Sequence, residues 1–174
     1  MKNTANVMLP LLRLTLALVA FSSLAIAAEL DISSAGNSNM EGTKQLFRFA
    51  EDIGCDVYRP KNDSEFFRLT QGDYKILISV KASATGVDRA VAHVVFSGKK
   101  EYANSIEMDR LLAKLNRTYN TCCISVDSDG DITFQFVLAF DNRISPKLFR
   151  IWCEHVSQCV EAIISEEPEL RKKF

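Results

Sequence analysis

One hairpin constrains the fold of this chain more than any other stretch. Residues 121–140 read TCCISVDSDGDITFQFVLAF, two apolar runs around three aspartates and a glycine. In an antiparallel pair, opposed residues point to the same face, so loop length decides which side chains share it. A two-residue loop at Asp129-Gly130 sets Val126 against Thr133 and Ile124 against Gln135, apolar against polar. A three-residue loop, Ser128-Asp129-Gly130, closes at Asp127 and Asp131 instead. It sets Val126 against Ile132, Ile124 against Phe134 and Cys122 against Phe136. Only the second builds one apolar face. It is a type I turn followed by Gly130 in the left-handed region, with the Asp127 carboxylate accepting turn N–H groups. Asp127, Asp129, Gly130 and Asp131 are therefore read as a hairpin tip. A calcium loop wants glycine sixth and glutamate twelfth. Counted from Asp127, glycine falls fourth and Leu138 twelfth. Acid–base catalysis by paired carboxylates needs a cleft, which a hairpin tip lacks.

Periodicity sets the rest of the order. Leu46, Phe49, Ala50 and Ile53 recur at helical spacing, with Gly54 at the stop. FFRLT (66–70), YKILISVKA (74–82) and RAVAHVVFS (89–97) read as three strands with short connections. In the second, Tyr74, Ile76, Ile78 and Val80 alternate onto one face. Met108, Leu111, Leu112, Leu115 and Tyr119 mark an amphipathic helix. The hairpin adds two strands. The last helix opens with Ser145 as N-cap and Pro146 at its first position, buries Phe149, Trp152, Cys153, Val156, Val160 and Ile163, and is limited by Pro168. The expected fold is α+β, a five-stranded antiparallel sheet with three helices on one face, in the order α-β-β-β-α-β-β-α.

The start of the chain carries a different signal. Lys2 precedes an apolar stretch from Val7 to Ile26, and small residues stand at Ala25, Ala27 and Ala28. This reads as a secretory signal over 1–28 cleaved near Ala27/Ala28, giving a periplasmic or secreted protein with no stable membrane insertion after cleavage. A membrane anchor is the other reading of the stretch, but Pro10 and Arg13 interrupt it. Residues 29–41 read as a flexible lead, 42–168 as one domain and 169–174 as a charged tail. Losing Lys2 and Arg13 takes Lys+Arg from 21 to 19 against 22 Asp+Glu, and the formal charge from −1 to −3. That acidic balance argues against nucleic acid as a partner.

Cys55, Cys122, Cys123, Cys153 and Cys159 all fall after the signal. An odd number leaves at least one thiol unpaired or intermolecular, which matters in an oxidising compartment. Six residues of helix separate Cys153 from Cys159 by about 9 Å, too far for a bridge. Cys122 and Cys123 point to opposite faces of a strand, so any bridge joins distant segments. Each cysteine alone also reads as a small buried apolar residue. His155 and Cys159 stand one turn apart, a spacing that fits a metal, but a surface histidine beside a core cysteine is the favoured reading and no metal site is expected. His93 reads as a hydrogen-bonded sheet residue. The residues NDS (62–64) and NRT (116–118) match the glycosylation acceptor pattern. No phosphate-binding glycine loop, serine elbow or papain-like cysteine motif is present, and no cofactor is expected.

Asn116, the DSDGD hairpin eleven residues on, an alternating strand ending at Phe140 and ISPKLFRIW opening a long helix together resemble the YbjN family of bacterial sensory-transduction regulators. The resemblance spans about 42–167 and is specific over 116–152. Leu115 stands where that family usually has an aromatic residue, and DNR (141–143) where it has a glycine-containing turn. The resemblance implies a fold like that of the class I type III secretion chaperones, with no catalytic residues. It also implies binding of extended polypeptide segments, and homodimers.

Leu77, Cys123, Val137 and Ala139 point away from the main apolar sets, and so does Phe67 if the first strand keeps register. Merged, they make a dimer or peptide-binding face. Strand addition at a sheet edge is a second route to the same partner. The expectation is an exported, non-enzymatic protein- or peptide-binding domain of chaperone-like or regulatory type. The alternative is a periplasmic thiol- or metal-handling protein using Cys122/Cys123 with Cys153 or Cys159.

Overall fold

Each of the three long helices starts at a serine whose hydroxyl accepts an orphan N–H of the first turn. Ser38 does so for Glu41 at 3.3 Å, Ser105 for Met108 at 3.3 Å and Ser145 for Leu148 at 3.2 Å. These caps begin α1 (Asn39–Asp52), α2 (Ile106–Thr118) and α3 (Pro146–Glu166). A computed structural model describes residues 29–31, 38–60, 65–83, 87–141 and 143–174. The expected signal segment, the middle of the lead and the acceptor pattern at Asn62 lie outside the described residues.

The architecture is α+β with an antiparallel sheet. The sheet has six strands, in the order β2 (Val57–Tyr58), β3 (Phe67–Gln71), β4 (Tyr74–Lys81), β5 (Asp88–Phe96), β7 (Ile132–Phe140) and β6 (Cys123–Val126). After β5 the chain passes through a 3-10 turn (Lys100–Asn104) and α2 to reach the far edge. Five strands and three helices were expected, and the additions are all short. β2 is two residues set against β3; a separate ribbon pairs β1 (Leu30–Asp31) with β8 (Arg143–Ile144); α4 (Pro168–Arg171) follows α3. Elements of two to four residues are below the reach of periodicity.

The ends are more ordered than expected. Within the 29–41 lead, Leu30 and Asp31 pair with Ile144 and Arg143, and α1 begins at Asn39. Within the 169–174 tail, Leu170 is wholly buried and the Phe174 ring stacks on Phe96 with centroids 4.5 Å apart.

All three long helices cover one face of the sheet. Leu46, Phe49 and Ala50 from α1, Met108 and Leu115 from α2, and Phe149, Trp152, Val156, Val160 and Ile163 from α3 form a single cluster. It includes Leu69, Ile76, Ile78, Val94, Phe134 and Phe136 from the strands. Each such side chain contributes about 1.5–3 kcal/mol on burial.

One inward residue was expected on the other side. Phe67 is wholly buried and opposes Ile78. With Gln71-Gly72-Asp73 as the loop, the register would send Phe67 outward. The chain instead turns on Gly72 and Asp73, with Gly72 at φ +58° and Gln71 paired to Tyr74. One residue of register reverses the face. Phe67 therefore belongs to the core.

Polar side chains of the helices close strand edges that lack a partner. β3 starts opposite Ile78, so β4 has no partner on that side beyond it. There the Val80 N–H donates to Thr43 Oγ1 at 2.9 Å, and the Ala82 N–H to Asn39 Oδ1 at 2.8 Å. Thr43 is completely buried. Thr43→Val keeps its shape but strands the Val80 N–H, at a cost of about 2 kcal/mol. A lowered urea midpoint with unchanged slope is the expected reading.

Candidate functional site: the outer face of the sheet

The face away from the helices is built from rows of cross-strand partners. One row runs Arg68, Leu77, His93, Gln135, Cys123; the next holds Ser79, Val91, Val137; a third Lys81, Arg89, Ala139. On the other side of the first row lie Thr70, Lys75, Val95, Thr133 and Ser125. Leu77, Val137 and Ala139 do share this face. Val95 and Val91 of β5, the latter only 6% exposed, complete the apolar set on this face, and sequence reasoning left both unassigned. Cys123 sits apart, at the exposed end of its row beyond Gln135.

Exposure is high for apolar side chains. Val137 is 49% exposed, and Val95 and Phe66 are each 41% exposed. A cleft of about 380 Å³ opens here, with Phe66, Leu77, Lys81, His93, Val95 and Thr133 in its lining. That volume lies at the lower end of the range for ligand sites. Burial holds the His93 imidazole below its usual range, partly offset by a hydrogen bond to Gln135, so the ring is neutral at pH 7.

The charged side chains that the strands send to this face are all cationic. The outward residues of β3 to β7 include Arg68, Lys75, Lys81 and Arg89 and no carboxylate. Yet the whole chain has 22 Asp+Glu against 21 Lys+Arg. Glu65, just before β3, also lines the cleft and is the one carboxylate in its lining. The segregation is legible only after register is known, because it depends on alternate residues of four strands.

The aspartate hairpin lies elsewhere and is occupied with its own backbone. Val126 opposes Ile132 and Ile124 opposes Phe134, the register of the three-residue loop. Asp127 Oδ1 accepts the N–H groups of Asp129 and Asp131, both at 2.9 Å, and Gly130 stands at φ +89°. Asp131 Oδ1 accepts the Gly98 N–H at 3.1 Å.

The edge at β6 is also partly closed. Ile124 is paired to β7 so that its own N–H and C=O point outward along the sheet. The Asn116 side chain meets both, accepting from the Ile124 N–H at 2.7 Å and donating to its carbonyl at 2.8 Å. An incoming strand would have to displace this amide. Edge addition is thereby disfavoured relative to docking on the open face.

Cys153 is buried, Cys55, Cys122 and Cys159 are half-buried, and Cys123 is exposed. None of the five is bridged in this structure. Burial pushes the Cys122 thiol up to about 11 and raises Cys55 and Cys153 as well. Such thiols hold little thiolate at neutral pH, which weighs against nucleophilic thiol chemistry. Cys159 Sγ lies 3.4 Å from His155 Nε2. Among the described residues, no group of three or more His, Cys, Asp or Glu is placed to hold a metal ion. Among them too, no helix is long and apolar enough to cross a membrane. No protein-family model matches the chain, and no curated protein matches it significantly.

Proposed function

We propose that this chain is a non-enzymatic polypeptide-binding domain of chaperone-like or adaptor type. Its ligand is an acidic segment with interspersed apolar residues, laid across the outer face of the sheet. The observation that carries this reading is an apolar face whose outward strand charges are all cationic, on an otherwise acidic chain. Complementary charge speeds encounter and rejects wrong partners, while Val95, Val137 and Leu77 supply the apolar contact. A second copy suits this face less well, since face-to-face pairing sets Lys81 and Arg89 against their own kind; a homodimer would use another surface. The resemblance of 116–152 to the YbjN family, and through it to type III secretion chaperones, points to the same class of ligand. The signal-like start places the encounter in the periplasm or outside the cell.

An array of short synthetic peptides tests the reading. Bound peptides should be enriched in Asp and Glu alternating with apolar residues. Reversing two charges, in K81E/R89E, should weaken the best of them roughly tenfold without unfolding the protein. Basic selected peptides, or undiminished binding by the reversed face, would remove the proposal.

A further inference from the structure

We infer that four of the five cysteines are two disulfide tethers on the last helix, Cys55–Cys153 and Cys122–Cys159, with Cys123 left as the free thiol. The first pair follows from how α3 meets the end of α1. The Phe49 ring packs on Phe149 with centroids 5.9 Å apart, and the Arg150 guanidinium donates to the Ile53 carbonyl. The loop after Ile53 is thus held against the turn of α3 that carries Cys153. Cys153 is only 2% exposed, and Cys55 packs against the same core. The two sulfurs are electrostatic neighbours, since charge on Cys55 acts on Cys153.

The second pair follows from the junction of α2 with β6. The Tyr119 hydroxyl bonds Glu166 at 3.0 Å and Lys114 Nζ reaches Glu167 at 2.8 Å, holding the end of α2 on α3. Cys122, three residues past Tyr119, and Cys159 both pack against the core. Charge on Cys159 likewise acts on Cys122. Cys123 is exposed on the opposite side of the strand. The two half-bridges on α3 stand about 9 Å apart along its axis, which separates the pairs from one another.

Each bridge forms by exchange with a disulfide of small-molecule or protein origin. One thiol of each pair, Cys55 or Cys159, loses its proton and attacks the acceptor disulfide, releasing one acceptor thiolate. The partner, Cys153 or Cys122, then loses its proton and attacks the mixed disulfide, releasing the second. Two thiols are oxidised, one acceptor disulfide is reduced to two thiols, and the proton count balances. Burial of Cys122 and Cys153 makes that second step slow at neutral pH and faster on mild alkalisation. The role is structural: the bridges join α3 to segments remote in the chain, the first across about 100 residues.

The test is independent of the polypeptide-binding reading, since it reads bonds and not ligands. The purified chain is incubated with oxidised glutathione at pH 8.5, alkylated, and digested without reductant for mass spectrometry. The expected peptides link Cys55 to Cys153 and Cys122 to Cys159, with only Cys123 alkylated or carrying glutathione. Cys159→Ser should free Cys122 for alkylation and leave Cys55–Cys153 intact, and reduction of the native chain should lower Tm by roughly 10 °C. Alkylation at all five positions, a bridge to Cys123, or crossed pairing would overturn the assignment.

Discussion

Gly130→Ala is expected to unfold the protein more than any other one-atom addition at a glycine of known surroundings. A Cβ there would lie 2.0 Å from the Lys99 carbonyl oxygen, 2.4 Å from its carbon and 2.8 Å from the Lys100 nitrogen. All three are backbone atoms and none can rotate away. The residue also sits at φ +89°, which L side chains resist. The loss should be about 3 kcal/mol or more. Gly72→Ala is the control: it too has positive φ, at +58°, but nothing lies within 4 Å of its Cβ. It should lose only about 1 kcal/mol. Denaturant midpoints of the two variants measure the difference, which is the contact of the hairpin with residues 99–100. Equal losses would mean that turn strain alone explains Gly130.

Asn116→Leu should produce the second large effect. The Ile124 side chain is 2% exposed, and its N–H and C=O both end on the Asn116 amide. Leucine matches the size of asparagine but offers neither donor nor acceptor. Two backbone groups then lose their partners, at about 1–3 kcal/mol each where water cannot replace them. The freed edge is also a template for a further strand, so the variant should self-associate at high concentration. Urea denaturation reads the first effect and light scattering the second. A variant as stable and monodisperse as the parent would show that water serves the edge equally well.

The hairpin at 121–140 was legible because both of its runs are long and only one loop length matches apolar to apolar. The register of the preceding hairpin was not. Around Gln71-Gly72-Asp73, Leu69 and Phe67 offer two apolar residues on one side, and Phe66 offers another on the other. Either register keeps some apolar residue inside, and the turn at Gly72 settles it. The same limit hid the binding face. Leu77, Val137 and Ala139 were visible as alternates in clearly periodic strands. Val91 and Val95 lay in a run, RAVAHVVFS, that is apolar on both faces and so names neither. The cations Lys81 and Arg89 become neighbours only when β4 and β5 are aligned. The roles of Asn116, Thr43 and Asn39 in closing edges needed the pairing of helix to strand, which no local pattern contains. The resemblance had singled out Asn116 without giving it a physical task.

On the proposed reading, polypeptide docks on the open face and not by strand addition at an edge. Amide and methyl NMR on the labelled protein, titrated with the tightest acidic peptide from the array, tests it most directly. Shifts should concentrate at Leu77, His93, Val95 and Val137, and the Ile124 amide, held by Asn116 at the β6 edge, should stay fixed. Shifts confined to Val57–Tyr58 or to Cys123–Val126, with slowed exchange of their edge amides, would contradict the account.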